Sequence, residues 1–503
     1  MEAEMQSPIG YMILAVYSLM LGTIVLLITR KYPVNGRTID EFILAGRNVP
    51  FGLLAPSIFV SWIWVTTIVG SAEAGVIYGI SGGWAYSLGA IIAFAILILV
   101  IVKIRRMMPE GITFIDFAGL RFSVLMKDTY FIFAILVVVY LSVEQAAGIA
   151  LVFNGLFDVS FKKIAFITVM IAGVYVLTAG MRGVLYNELI NFFIISLGFI
   201  LFAGIIIHKF DLGTLFDGLK DVQSNPLNNN FNPEALSLLS KSGTMYAISA
   251  IIIALGQICL DPAYFIKAHI AKDEKTMVRS FVFGGIVFWT PVAIISSFVI
   301  GYVTLSKDIE LKSVINRSIA ISTGILQTDF GIGVQILFAI LIFCIGITSI
   351  IHGLIGIQSI FTISYYKDKI KPDATEAEQI KFGRTVTFLI AVLCALIAIS
   401  LEKVSLLTID TFSGIFFAAT CGGIFAGIWS KKVLGSKVLV SIILGILTGF
   451  IAWAGIEDPR INWLYGSVVS FAAPILFLSI LSLLTKRQFN FTKLLHFRYY
   501  FNK

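Results

Sequence analysis

Charge is the scarcest commodity in this 503-residue chain. Asp, Glu, Lys and Arg together make up only 13% of it, while 58% is hydrophobic. A soluble domain is normally about one quarter charged, so an ordinary globular protein is excluded. No polar stretch is long enough to build a soluble domain of usual size; the longest polar connection is 209–242. Cysteine is also scarce. Cys259, Cys344, Cys394 and Cys421 all lie in apolar segments with no metal or redox spacing, so they read as small core residues. There is no nucleophile–base pattern, metal-ligand spacing or nucleotide-binding loop, which speaks against an enzyme and predicts no cofactor. The start, MEAEMQSPIG, lacks the basic flank of a secretory leader, so the first apolar run is expected to be a retained span. The net charge of +8 invites a nucleic-acid reading. The placement of the basic residues gives a simpler one, so no nucleic-acid partner is expected, and no obligate protein partner is evident.

What the chain has instead is apolar length. Thirteen runs, from 9–29 to 461–485, are long enough to cross a bilayer. With thirteen crossings, most of the 37 Lys and Arg fall on one side: the connections after spans one, three, five, seven, nine and eleven, and the C-terminal tail. By the positive-inside rule that side is cytoplasmic. The expectation is a multi-pass protein of the cell membrane with its N-terminus outside and its C-terminus in the cytoplasm.

Two spans contain what a lipid-facing helix avoids. Residues 51–79 carry Pro56, then Ser61, Trp62, Trp64, Thr66 and Thr67 at mid-depth; residues 243–270 carry Gly256, Gln257, Asp261 and Pro262. A broken helix frees backbone groups that lipid cannot satisfy, so it must be buried in protein or line a wet cavity. Paired interrupted helices in corresponding halves point to the binding site of a secondary transporter. Five spans from each break onward, an odd number, imply repeats inserted in opposite directions. The expected organisation is an extra helix and loop (1–50), a first repeat (51–208), an outer connection (209–242), a second repeat (243–428), and two further helices with a tail (429–503). The fold class is all-α, polytopic, with a five-plus-five inverted-repeat core.

Three stretches carry a family likeness. EFILAGRNVP (41–50) resembles the FLAGR-x-x-P element of the sodium:solute symporter family. TAGMRGVLYNELINFF (178–193) resembles its GG-x-x-AV-x-x-T-D-x-x-Q signature, with Glu188 at the acidic position and Asn191 at the Gln position. TSIIHGLIGIQSIFTISYYKD (348–368) is similar to the stretch bearing its paired hydroxyls, with Ser364 where the family has Asp. The family has the LeuT-type fold. Carried onto this chain, the resemblance implies a sodium site made by the carbonyls of Val60, Ile63 and Ile345 and the hydroxyls of Thr348 and Ser349, with Glu188 near the ion's exit. Within the family the urea symporters look nearest. SWIWVTTIVGSAEAGVIYGISGGWAY (61–86) follows their pattern, and LDPAYF (260–265) keeps Asp261 and Tyr264 of their V-D-x-x-Y-W element, with Phe265 for Trp and an added Pro262.

The implied activity is symport of sodium and a small polar organic solute, with urea first. Urea offers four N–H donors and one carbonyl. Trp62, Trp64, Thr67, Glu144, Gln257, Asp261 and Tyr264 are the side chains able to meet it. An ionisable group inside the membrane is a functional hypothesis by default. Glu144 could contact solute or bind a proton. Asp261 could instead cap the half-helix after the break, and His352 reads more simply as a hydrogen-bonded structural residue. Protons could replace sodium. Polyamines, amino acids, sugars and carboxylates are the other solutes of this type; a passive facilitator or a nutrient sensor would also need polar groups at mid-membrane.

Overall fold

The computed structural model describes residues 2–31, 38–307, 316–457 and 461–497, with side chains from residue 8 onward except 407 and 408. It is helical throughout. The long elements are α1 (Glu2–Lys31), α2 (Phe51–Trp62), α3 (Val65–Tyr78), α4 (Ile80–Met107), α5 (Val124–Phe157), α6 (Phe161–Lys209), α7 (Lys241–Leu260), α8 (Pro262–Ile270), α9 (Glu274–Ser306), α10 (Ile332–Ile370), α11 (Glu376–Ala398), α12 (Leu406–Trp429), α13 (Lys437–Ala454) and α14 (Asn462–Leu484). Among the described residues eleven helices are long and apolar enough to cross a membrane, and the bent pair α2–α3, turned by 53°, makes twelve. The thirteen-span expectation places two crossings in α6. Its 49 residues are interrupted at Gly180, with φ 61° and ψ −174°. That region is open essentially to glycine alone, and a Cβ there would also run into Phe42.

The two breaks are alike. α2 ends at Ile63 with φ −80° and ψ 113°; α7 ends at Asp261 with φ −79° and ψ 110°. At the first, the β-branched and aromatic run VSWIWVTT resists helix and favours extended backbone. At the second, Pro262 has no N–H to offer α7 but suits the first turn of α8. The ends remote from the breaks meet as well: Val49 N–H donates to Ile270 O at 3.0 Å, and Lys272 N–H to Val49 O at 3.2 Å. The entry of one broken span is thus stitched to the exit of the other. Arg105, in the last turn of α4, donates to the carbonyls of Ala268 and Ala271 at the end of α8, where a cation also meets the negative end of the helix.

α10 is buried along most of its length, against α5, α6 and α8, whereas α1, α13 and α14 are largely exposed. The 209–242 connection is built rather than loose. It contains a helix, Leu212–Ser224, and is pinned to the α3–α4 corner by Ile80 N–H to Ala235 O at 2.9 Å and Trp84 Nε1 to Leu238 O at 2.6 Å. Ser364, the departure from the family's acid, donates to Asp116 at 2.9 Å, and Lys127 pairs with the same carboxylate at 3.0 Å.

Candidate functional site

Every polar backbone group freed in a membrane core needs a partner, and the first break finds its partners in four other helices. On the donor side, Val65 N–H reaches Gln145 Oε1 of α5 at 2.8 Å, and Trp64 N–H reaches Thr67 Oγ1 at 3.0 Å. On the acceptor side, Ser61 O receives Tyr264 O–H of α8 and Trp64 Nε1, both at 3.1 Å, and Trp62 O receives Trp289 Nε1 of α9 at 3.0 Å. Ile63 O faces the Ser349 hydroxyl of α10 at 3.3 Å, and the same hydroxyl lies 3.1 Å from Ile345 O. Two carbonyls and a hydroxyl therefore converge between α2 and α10, all buried. Val60 lies in the last turn of α2, one turn before Ile63.

Thr348 is turned the other way. Its hydroxyl donates to Cys344 O and accepts from Asn191 Nδ2, both at 2.6 Å. Asn191 also reaches Tyr17 of α1 at 2.6 Å. The additional N-terminal helix is thereby tied to the hydroxyl pair.

Glu188 belongs to a separate buried cluster. One carboxylate oxygen pairs with Lys267 Nζ at 2.6 Å, the other receives the Ser57 hydroxyl at 2.5 Å, and Lys267 also donates to Ser57 O at 3.3 Å. Both charged side chains are fully buried. Lys267 thus lies inside the bundle, joining α2, α6 and α8.

Beside the first break lies a cavity of about 330 Å³, to whose wall α3, α4, α7, α9, α12, α13 and α14 each contribute an aromatic ring. Of the solute candidates, Trp62, Trp64, Thr67 and Gln257 line it; Glu144, Asp261 and Tyr264 do not. Trp62 keeps a buried indole N–H with no partner among the described residues. Asp261 is turned toward α10. Its Oδ1 caps α8 by accepting Ala263 N–H at 2.9 Å, and its Oδ2 lies 3.0 Å from His352 Nε2. Tyr264 follows the same side, its ring 4.6 Å from that of His352. Glu144, on α5, is buried.

Sequence reasoning passed over Asp410 of α12, which lines the cavity. Its Oδ1 accepts Tyr140 O–H and Gln257 N–H, each at 2.8 Å. The signal was present: Asp410 is the sole charged residue of the run 405–428. Among the described residues no cluster of His, Cys, Asp and Glu could hold a metal ion.

Two discontinuous helices, packed against α10 and flanking one cavity, define a secondary transporter built from inverted repeats. Sequence comparison makes this specific: the chain belongs to the sodium:solute symporter family, whose model matches residues 42–445. It is 22% identical to the probable urea active transporter 1 of Schizosaccharomyces pombe, over 98% of this chain and 79% of that one. It is 23% identical to the urea-proton symporter DUR3 of Oryza sativa subsp. japonica, over 71% of this chain and 52% of that one. Among solved structures, the substrate-bound outward-open state of a Na+-coupled sialic acid symporter superposes with a TM-score of 0.73 at 19% identity, covering 94% of this chain and 98% of that one. That likeness concerns the fold.

Proposed function

We propose that this symporter couples inward sodium movement to uptake of a small polar nitrogenous solute, with urea as the first candidate. The observation that carries sodium is the convergence of Ile63 O, Ile345 O and Ser349 Oγ across the α2–α10 contact. Sodium is a hard cation that takes neutral oxygen ligands. Val60 O and the Thr348 hydroxyl would complete the set, Thr348 by rotating from Cys344 O. Glu188, with its lysine partner, would lie along the ion's path toward the cytoplasm. An ion bound there holds the broken end of α2 against α10, which keeps the cavity walls assembled. Solute and sodium then strengthen each other's binding by reciprocal linkage.

Urea is supported by the urea transporters among the chain's relatives and by the polar groups of the cavity. Trp62 offers a free N–H for a carbonyl, while Asp410 and Gln257 offer acceptors for N–H groups. A floor built to bond such groups rejects analogues that lack them, because its own buried polar atoms are then left unpaired. Asp261, Tyr264 and Glu144 would act from behind this surface. Tyr78, Leu406 and Asn462, at helix ends, line the cavity; with the N-terminus outside the cell membrane, as the Lys and Arg distribution suggests, these ends would face outward.

The test is radiolabelled urea uptake into proteoliposomes with an inward sodium gradient. Accumulation above the equilibrium level is expected. Equilibration without accumulation would replace the symporter mechanism by passive facilitation, and absence of uptake would remove urea as the solute.

A further inference from the structure

Thr348 of α10, Asn187 and Asn191 of α6 and Tyr17 of α1 form one buried chain of neutral polar groups. The Asn191 amide nitrogen has two hydrogens. Two acceptors lie 2.6 Å from it, Thr348 Oγ1 and Tyr17 Oη, and a third, Asn187 Oδ1, lies at 3.3 Å. The Tyr17 O–H donates in turn to Asn187 Oδ1 at 3.2 Å, and the Tyr17 ring stands edge-on to Phe343 of α10 at 5.1 Å. The chain is not saturated. Asn191 Oδ1 and Asn187 Nδ2 have no partner among the described residues. A buried polar network rigidifies a core when every member is paired; one with an orphan acceptor and an orphan donor is cheaper to rearrange.

The Thr348 hydroxyl is held by the same network. Its hydrogen goes to Cys344 O and one lone pair to Asn191, while Ser349 beside it faces Ile63 O and Ile345 O. For Thr348 to turn its oxygen to an ion at the α2–α10 contact, the bond from Asn191 must break. That bond also aims the positive end of an N–H dipole at the oxygen the cation would use. We infer that Asn191, anchored by Tyr17, is a latch that withholds the Thr348 hydroxyl from the sodium site, so that α1 and α6 set how tightly the ion is held. Both are positioning residues, acting on the ion through Thr348. The affinity given up lets sodium leave on the cytoplasmic side, where a firmer grip would slow its release. The latch rests on the sodium reading of the α2–α10 contact and adds to it a control by residues outside the ligand set. Loosening it should tighten sodium binding, the opposite of what damage to the fold would do.

The test is binding of radiolabelled sodium to the full-length protein in lipid nanodiscs, with no solute. Asn191→Leu keeps the bulk and removes the amide. With one neutral hydrogen bond no longer to be broken, the half-saturating sodium concentration is expected to fall by about threefold to tenfold. Tyr17→Phe keeps the ring on Phe343 and removes the hydroxyl that anchors Asn191, so a smaller fall is expected. In a Thr348→Ala background Asn191→Leu should have no effect, because the hydroxyl it releases is gone. Half-saturation that is unchanged or raised in Asn191→Leu, or that falls equally in the Thr348→Ala background, overturns the latch. Melting temperatures without sodium establish that the variants are folded, and Tyr17→Phe decides alone if Asn191→Leu does not fold. Native protein that binds no sodium removes the sodium reading and the latch with it, whereas saturable native binding indifferent to these changes removes the latch alone.

Discussion

Replacing Lys267 by methionine strands a carboxylate. Glu188 and Lys267 are both fully buried and 2.6 Å apart, and both also bond to Ser57. Removing one member of a buried pair leaves an uncompensated charge and costs about 3–5 kcal/mol, whereas replacing both by neutral groups of similar size is often neutral or stabilising. Lys267→Met and Glu188→Gln should therefore each lower the melting temperature of the purified protein clearly, and the double variant should recover most of the loss. An exposed pair would contribute only about 0–1 kcal/mol. The ranking of melting temperatures is the readout, because a membrane protein of this size unfolds irreversibly and yields no equilibrium value. Single variants that melt with the native protein, or a double variant that melts below both, would refute the electrostatic reasoning. The same pair joins three elements that are far apart in sequence, 79 residues separating its members and 210 separating Lys267 from Ser57.

Two further changes test how the breaks are held. Gln145→Leu removes the acceptor for Val65 N–H and leaves a buried donor unpaired, which costs about 1–3 kcal/mol; a lowered melting temperature is expected, and an unchanged one would show that this bond does not hold the break. Gly180→Ala forces a side chain into a glycine-only conformation and into Phe42; a cost of about 1–3 kcal/mol from the backbone alone should show as reduced yield of monodisperse protein, and a normal yield would contradict the two-span reading of α6.

Much of this architecture is legible because lipid is an intolerant solvent. Apolar runs mark the crossings, and the few residues that violate them mark the breaks: Pro56, Ser61 and Thr67 in one, Gln257, Asp261 and Pro262 in the other. The side chains' neighbours are less legible. A lysine ending an apolar run usually snorkels to the interface, so nothing local announces that Lys267 turns inward to Glu188. Asp261 illustrates the same limit. Its position in a break marks it as special, but the choice between capping α8 and facing a solute depends on His352, 91 residues away. Asp410 is the opposite case. A lone acid in an uncharged span was visible, and only the packing of α12 against Tyr140 and Gln257 gives it a place on the cavity floor.

The most direct measurement is the sodium dependence of urea uptake in Ser349→Ala. The hydroxyl is one of the few neutral oxygens gathered at the α2–α10 contact, and a polar group bonded to a charge is worth about 1.5–3 kcal/mol. At about 1.4 kcal/mol per tenfold, the half-saturating sodium concentration should rise at least about tenfold, and the double variant Thr348→Ala/Ser349→Ala should lose sodium-driven accumulation altogether. Half-saturation that stays at the native value in Ser349→Ala would place the coupling ion somewhere other than between these two helices.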